Sequence, residues 1–113
     1  MKSYEEILET EYSEDFDKKR KDAMVTSFYK YGMAKLNYPH NVNAIETLEK
    51  RLNQYKITGN AEWLVDVANM AMIEFMLPRH KKAHYRPTDS SENPGLAGMS
   101  IEEIKRFKES EDY

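Results

Sequence analysis

The segment of residues 60–77, NAEWLVDVANMAMIEFML, limits the fold most because it is the most apolar run in the chain. Its apolar residues are spaced as in a helix that is buried on most of its circumference. Asn60 is a suitable N-cap, because its side-chain oxygen can accept a hydrogen bond from the first turn. Pro78 ends the segment, since proline disfavours helical geometry in the residue before it. The sequence therefore predicts a central helix over residues 60–77.

A polar stripe interrupts the apolar surface of this predicted helix. At 100° per residue, Glu62, Asp66 and Asn69 fall on one narrow line, which Ile73 continues. Such a stripe either meets water or lines a site, and both alternatives stay open. The remaining apolar side chains are expected to form the core, and they are Trp63, Leu64, Val67, Met70, Ala71, Phe75 and Met76.

Helical patterns also occur on both sides of the central segment, and no stretch alternates convincingly as a β-strand. They predict helices over residues 4–11, 13–37, 43–57 and from Ser100 to about Lys108. The short connection around Gly59 favours an antiparallel hairpin. We therefore expect an all-α fold, a small helical bundle built round an antiparallel helical hairpin with a short C-terminal helix. It would be a single domain over 1–113, with 1–12 and 88–99 as candidate flexible segments.

The composition and the motifs of the chain exclude several classes of protein. The 113-residue chain has no cysteine, which excludes disulfides and thiolate metal sites and fits a cytoplasmic protein. No apolar run is long enough and uncharged enough to span a membrane, and no signal-peptide pattern is present. No nucleophile–base pair, glycine-rich phosphate loop or cofactor fingerprint occurs. We therefore predict no catalytic residues and no bound cofactor, and an enzyme is the less favoured class.

The charges are unevenly distributed along the chain. Residues 1–17 carry a net charge of −6, whereas residues 18–87 carry +7. A basic middle between acidic ends suggests intramolecular pairing first and a polyanionic partner, such as a nucleic acid or nucleotide, second. The run Lys18–Lys21 is interpreted mainly as a solvated helix face balanced by nearby acids, with nucleic-acid contact as the alternative.

A second basic segment follows the central helix and is the predicted partner-binding site. Its residues with suitable charge or aromatic character are Arg79, Lys81, Lys82, Tyr85 and Arg86. Arginine and lysine could contact phosphates or pair with the acidic residues 1–17, and tyrosine could stack on a base or fill an interface. His80 and His84 have a zinc-compatible i, i+4 spacing, but they lack a third ligand nearby, so a plain basic loop is the preferred interpretation.

Four carboxylates in the predicted hairpin form the most specific pattern. Glu46 and Glu49 are at i, i+3 in its first helix, and Glu62 and Asp66 are at i, i+4 in its second. If the two faces met, the hard oxygen ligands would suit Mg²⁺ or Mn²⁺. The alternative is that both pairs are acidic stripes facing solvent, which amphipathic helices commonly carry.

This acidic pattern, with the segment LVDVANMAM at residues 64–72, resembles the MazG-like all-α nucleotide pyrophosphohydrolases. The resemblance covers residues 43–77, and Ile45 stands where the first glutamate of the family pattern belongs. It implies that Glu46, Glu49, Glu62 and Asp66 bind Mg²⁺, which would activate water against a nucleoside triphosphate.

A wider resemblance is carried by TGNAEWLVDVANMAMIEFMLPRH and HYRPTDSSENPG. These segments are similar to small accessory proteins of phages and prophages of Gram-positive bacteria. The resemblance implies a protein-interaction module that inhibits a host defence protein such as a CRISPR effector. This is the favoured function, with the Mg²⁺-dependent pyrophosphohydrolase as the alternative. A host protein is the expected partner, and the abundance of tyrosine and methionine also suits a homodimer.

Overall fold

The structure is a computed structural model that describes residues 1–94 and 100–110. It divides into two compact units, residues 1–83 and residues 84–113. The first unit holds five helices, α1 (Tyr4–Glu11), α2 (Glu14–Tyr31), α3 (Ala34–Asn37), α4 (Ala44–Thr58) and α5 (Glu62–Met76). The second holds α6 (Ile101–Ser110). No strand occurs among the described residues, which confirms the predicted all-α class.

Local capping explains where the first two helices begin. The Ser3 side chain accepts a hydrogen bond from the Glu6 backbone N–H, and the Glu6 side chain accepts one from the Ser3 N–H. This reciprocal capping box satisfies two backbone donors that a helix start leaves unpaired. The Ser13 side chain likewise accepts from the Phe16 N–H at the start of α2. The predicted start points of both helices are therefore confirmed.

The prediction of one continuous helix over residues 13–37 is wrong. Helix α2 ends at Tyr31, and Gly32 follows it with φ 80°, a backbone conformation that residues with a Cβ atom rarely adopt. The short helix α3 then takes up Ala34–Asn37. The Tyr38–Pro39 peptide bond is cis and lies in the turn that leads towards α4.

Helices α4 and α5 form the predicted hairpin and pack against each other. Asn43 caps α4 through a hydrogen bond to the Glu46 N–H, and Gly59 ends it in the left-handed conformation with φ 72°. Helix α5 begins later than predicted. Asn60 does accept a hydrogen bond from the Glu62 N–H, but the N-cap position is held by Ala61, whose side chain makes no capping bond.

The core of the first unit is small. Its buried apolar side chains are Ala44, Val65 and Ile73, and Asn69 is buried with them at 3% exposure. Ile73 and Asn69 belong to the stripe that was expected to be polar, so the core side of α5 differs from the predicted one. Phe75 is 74% exposed and Met76 is also exposed, which makes their predicted place in the core wrong.

Helix α5 packs against both α4 and α2. Its Asp66 side meets α4, because Arg51 of α4 forms an ion pair with that carboxylate. Its Asn69 side meets α2, because the Asn69 side-chain amide donates a hydrogen bond to the Arg20 carbonyl oxygen at 3.0 Å. The central helix therefore holds the unit together from two different sides.

The second unit carries a local ion pair and the C-terminal helix. Arg86 contacts Glu92 through two nitrogen–oxygen pairs, at 2.6 and 3.2 Å. The Ser100 side chain accepts from the Glu103 N–H, which confirms the predicted cap of α6. Part of the predicted flexible segment 88–99, residues 95–99, lies outside the described residues. Among the described helices, none combines the length and apolar character that crossing a bilayer requires.

Candidate partner-binding surface

The four predicted metal ligands are not brought together. Asp66 forms an ion pair with Arg51 at 2.6 Å, and Glu46 pairs with Lys50 of its own helix at 3.0 Å. Glu49 and Glu62 are exposed. In the part of the chain that the structure describes, no three His, Cys, Asp or Glu side chains lie close enough together to hold a metal ion. This arrangement does not fit Mg²⁺, so the MazG-like metal site stays a prediction without support from the geometry.

Asp66 instead has a structural role at the contact between α4 and α5. The Arg51 guanidinium that pairs with it also lies over the Trp63 ring, 5.6 Å from the ring centre. One cation therefore joins a carboxylate and an aromatic face, both on α5. One residue of the polar stripe of α5, Asp66, thus helps to hold α4 and α5 together.

The basic run Lys18–Lys21 is balanced on its own helix. Each of its four cations forms an ion pair with an aspartate of α2. The pairs are Lys18–Asp22, Lys19–Asp15, Arg20–Asp17 and Lys21–Asp17. This confirms the interpretation as a balanced helix face.

Asp17 is the centre of a network that the sequence analysis missed. It accepts a hydrogen bond from the Tyr12 hydroxyl at 2.8 Å and one from Arg20 at 2.7 Å. Hydrogen bonds from Arg20, Tyr12 and Lys21 lower the pKa of Asp17 from 3.8 to about 2. The same carboxylate raises the pKa of Tyr12 above its usual value of 10.0. Nothing in the sequence pattern identified Tyr12 as a partner of this carboxylate.

Arg20 extends this network to the central helix. Its guanidinium lies 3.0 Å from the Met72 sulfur, and its backbone carbonyl accepts from Asn69. The side-chain oxygen Oδ1 of Asn69 is buried and has no hydrogen-bond partner among the described groups. A buried asparagine with one unsatisfied oxygen is an uncommon feature in a small core.

The basic segment after α5 begins with a well-defined local structure. One carboxylate oxygen of Glu74 accepts hydrogen bonds from the backbone N–H groups of Arg79 and His80, at 2.8 and 3.4 Å. The Ala83 N–H then donates to the His80 carbonyl, which closes a turn with Lys81 and Lys82 at its tip. We call residues 79–83 the basic turn. Glu74 therefore anchors the turn to α5.

The basic turn presents its cations to solvent. Arg79 and Lys81 are exposed, and neither forms an ion pair within the described residues. The His80 ring nitrogen Nδ1 accepts from the Lys82 N–H at 3.0 Å, so this histidine supports the turn. The zinc alternative for His80 and His84 gains no support, because no metal-holding group of side chains occurs in the described part of the chain.

Two of the predicted partner-binding residues belong to the second unit. Tyr85 is 80% exposed, and Arg86 is paired with Glu92. This ion pair raises the pKa of Arg86 and lowers that of Glu92. Arg86 therefore pairs with Glu92, whereas the charge distribution suggested pairing with the acidic N-terminus. Of the five predicted residues, Arg79 and Lys81 are the cations best placed to meet a partner.

Several large apolar side chains of the first three helices are exposed. Tyr29 and Tyr31 of α2 are mostly exposed, as are Tyr4 of α1 and Leu36 of α3. Glu5, Leu8, Glu9, Tyr12 and Glu14 line a shallow depression between α1 and the start of α2. Tyrosine is favoured at protein interfaces because it combines a large apolar ring with a polar tip.

Comparison with protein-family models, with curated proteins and with solved structures finds no match for this chain.

Proposed function

We propose that this chain is a protein-interaction module that binds an acidic protein surface through the basic turn. The observation that carries the proposal is the anchoring of the turn by Glu74, which leaves the Arg79 and Lys81 side chains exposed. A preorganised contact loses less conformational entropy on binding than a flexible one. Exposed cations also steer an acidic partner towards the surface before close contacts form.

The proposed partner is a host defence protein, with a CRISPR effector as the specific candidate. This identity is supported by the resemblance of residues 58–80 and 84–95 to small phage accessory proteins, and the proposed location is the cytoplasm of a host cell. Inhibition of such a partner requires no catalytic residue, since occupying a functional surface is sufficient.

The test is a double charge reversal in the basic turn, Arg79→Glu with Lys81→Glu. Neither side chain forms an ion pair within the described residues, so the fold should remain intact. We expect the double variant to bind the partner at least about tenfold more weakly, which corresponds to about 1.4 kcal/mol. Circular dichroism would establish folding. Plaque formation on a host with an active CRISPR effector, and pull-down of that effector, would establish function.

The matched control is Lys35→Glu with Lys56→Glu. Both lysines are exposed and without an ion pair in the described structure, and this variant changes the net charge by the same amount. This control variant should keep full activity, because we expect the local contact of the basic turn to determine binding. The net charge, which sets only the long-range attraction, changes equally in both double variants. Equal losses in both double variants would contradict a specific role of the basic turn. A wild-type protein that neither protects phage nor binds the effector would contradict the proposed partner.

The pyrophosphohydrolase alternative is supported by the resemblance alone. Two of its four proposed ligands, Glu46 and Asp66, are engaged in ion pairs with Lys50 and Arg51. Incubation of the protein with a panel of nucleoside triphosphates and Mg²⁺ would test this alternative directly. Release of pyrophosphate that Asp66→Asn abolishes would favour the enzyme over the interaction module.

A further inference from the structure

Helix α1 is fully formed but contributes nothing to the core. Its capping box fixes its start at Ser3, yet none of its eight residues is buried. A helix of this length is marginal by itself in water, because its nucleation costs more free energy than two turns return. In most proteins the burial of an apolar side compensates for that cost. A short, capped helix without such burial is therefore a candidate for contact with another molecule.

The side of α1 next to the start of α2 carries the depression described above. The residues that α1 and its C-cap contribute are spaced at i, i+3, i+4 and i+7, which places them on one side of the helix. Together with one residue of the first turn of α2 they enclose about 360 Å³, and binding clefts usually enclose roughly 300–1,000 Å³. We call these residues the acidic groove, and they are Glu5, Leu8, Glu9, Tyr12 and Glu14.

The carboxylates of the acidic groove are not balanced by cations. Glu5, Glu9 and Glu14 are exposed, and none of them forms an ion pair within the described residues. Each aspartate of α2, by contrast, pairs with a cation of the same helix. Glu5 and Glu9 are at i, i+4, where two like charges destabilise a helix, and α1 has no lysine or arginine. The charge that complements the groove is therefore positive.

The lining of the groove decides which kind of cation fits. Its glutamates are too far apart to share a metal ion, since no three acidic or histidine side chains of the described residues are close enough for one. The groove also has an apolar part, which consists of Leu8 and the ring of Tyr12, whose hydroxyl donates to Asp17. Arginine matches both parts. Its aliphatic stem contacts apolar side chains, while its planar guanidinium stacks on aromatic rings and binds carboxylates.

We propose that the acidic groove binds an arginine-bearing basic segment of a partner protein. The arginine stem lies along Leu8 and the Tyr12 ring, and the guanidinium lies between the carboxylates of Glu5, Glu9 and Glu14. Binding relieves the repulsion within the groove and gives α1 the apolar burial that it lacks. A nucleic acid or an anionic lipid carries the wrong charge for this surface. The groove shares no residue with the basic turn and has the opposite charge, so the inference does not depend on the proposed function.

The first experiment uses a fluorescent peptide of alternating arginine and leucine as the probe. Its control is the same peptide with citrulline, which keeps the shape of arginine and lacks the charge. Anisotropy titration of the whole protein should give saturable binding of the arginine peptide below about 1 mM, and the affinity should fall as salt is added. Amide NMR shifts should centre on the acidic groove. No binding of the arginine peptide, equal binding of the citrulline peptide, or shifts centred elsewhere would overturn the proposal.

Two double variants locate the contact. Glu5→Gln with Glu9→Gln removes two carboxylates from the groove, and α1 should remain folded because glutamine is as good a helix former as glutamate. The arginine peptide should bind this variant at least about tenfold more weakly. The matched control is Glu11→Gln with Glu102→Gln, which changes the net charge equally at two exposed residues outside the groove and should bind as the wild type does. Equal losses in both variants would show an effect of net charge alone and would contradict the proposal.

The apolar part of the groove and the alternative occupant need one further measurement each. Leu8→Ala keeps every charge, so it should weaken peptide binding several-fold at high as well as low salt. An unchanged affinity would refute the contact with the arginine stem. The alternative occupant is the basic turn of a second copy of this chain. Self-association in sedimentation that both Glu5→Gln with Glu9→Gln and Arg79→Glu with Lys81→Glu abolish would assign the groove to that copy and would overturn the proposed partner.

Discussion

Replacing Asn69 by leucine should stabilise the first unit, although it removes a hydrogen bond between helices. Asn69 is 3% exposed, and its amide group donates to the Arg20 carbonyl at 3.0 Å. Because that carbonyl can only accept, the amide nitrogen must face it, and the side-chain oxygen is left buried without a partner. The residue therefore combines one satisfied group with one unsatisfied group in the same buried position.

The expected magnitude follows from these two groups. Loss of the hydrogen bond costs about 1 kcal/mol, and the Arg20 carbonyl keeps its partner within α2 by normal helix geometry. Removal of the unsatisfied oxygen returns about 1–3 kcal/mol, and leucine has a similar size, so no large cavity forms. The net expectation is that Asn69→Leu raises the free energy of unfolding by up to about 2 kcal/mol. Each kcal/mol corresponds to roughly 4–8 °C in Tm for a unit of this size.

Urea denaturation followed by circular dichroism measures the effect of Asn69→Leu directly. Asn69→Asp serves as the comparison, because it keeps the shape and replaces the donor by a charge. That variant should be destabilised by several kcal/mol near neutral pH, since a buried carboxylate would face the Arg20 carbonyl. Part of this loss should be recovered in acid, where the carboxylate is protonated. A loss of more than about 1 kcal/mol for Asn69→Leu would show that the oxygen is satisfied and would refute the reasoning.

Three further outcomes follow from the described contacts. Tyr12→Phe should raise the pKa of Asp17 from about 2 towards 3.8, as NMR of the carboxyl carbon would show. Because that pKa is lowered by folding, the stability that Asp17 contributes is complete above pH 3.8 and is lost as the pH falls towards 2. Ile73→Ala should cost about 2–5 kcal/mol in a urea melt, and a cost below about 1 would show that Ile73 is not core. Mg²⁺ should leave Tm unchanged, because Arg51 holds Asp66, and an increase that Asp66→Asn removes would contradict this.

The positions of the helices could largely be predicted because local signals determine them. Ser3, Ser13, Asn43 and Ser100 make capping hydrogen bonds at or next to the predicted helix starts, and Gly59 is left-handed in the predicted short connection. Each of these signals acts within about four residues of the chain. The all-α class and the hairpin could therefore be derived without knowledge of any long-range contact.

The core side of α5 could not be predicted in the same way. A helix that is apolar over most of its circumference gives no clear preference for one side. Asn69 was placed with Glu62 and Asp66 because their spacing matches. Its burial depends on the carbonyl of Arg20, which is 49 residues away in the sequence. Phe75 was expected in the core for its size, yet its side chain is 74% exposed.

The candidate site was predicted by composition but not by geometry. The cations at Arg79 and Lys81 were identified from the basic segment itself. The role of Glu74 was missed, because its contact with the backbone beyond Pro78 depends on how the chain leaves the helix. Arg86 was grouped with the same surface, and its pairing with Glu92 became evident only from the structure.

The attachment of α1 has a consequence for how the protein is degraded. Helix α1 buries none of its residues, and the Tyr12 hydroxyl that contacts Asp17 follows it directly. A segment held by so few contacts opens far more often than the rest of the fold. Proteases in the cell should therefore cut first near residues 12–13, and they would release the acidic N-terminus before the hairpin unfolds. The shortened chain would be more basic than the intact one, so limited proteolysis alone would change its attraction for acidic surfaces.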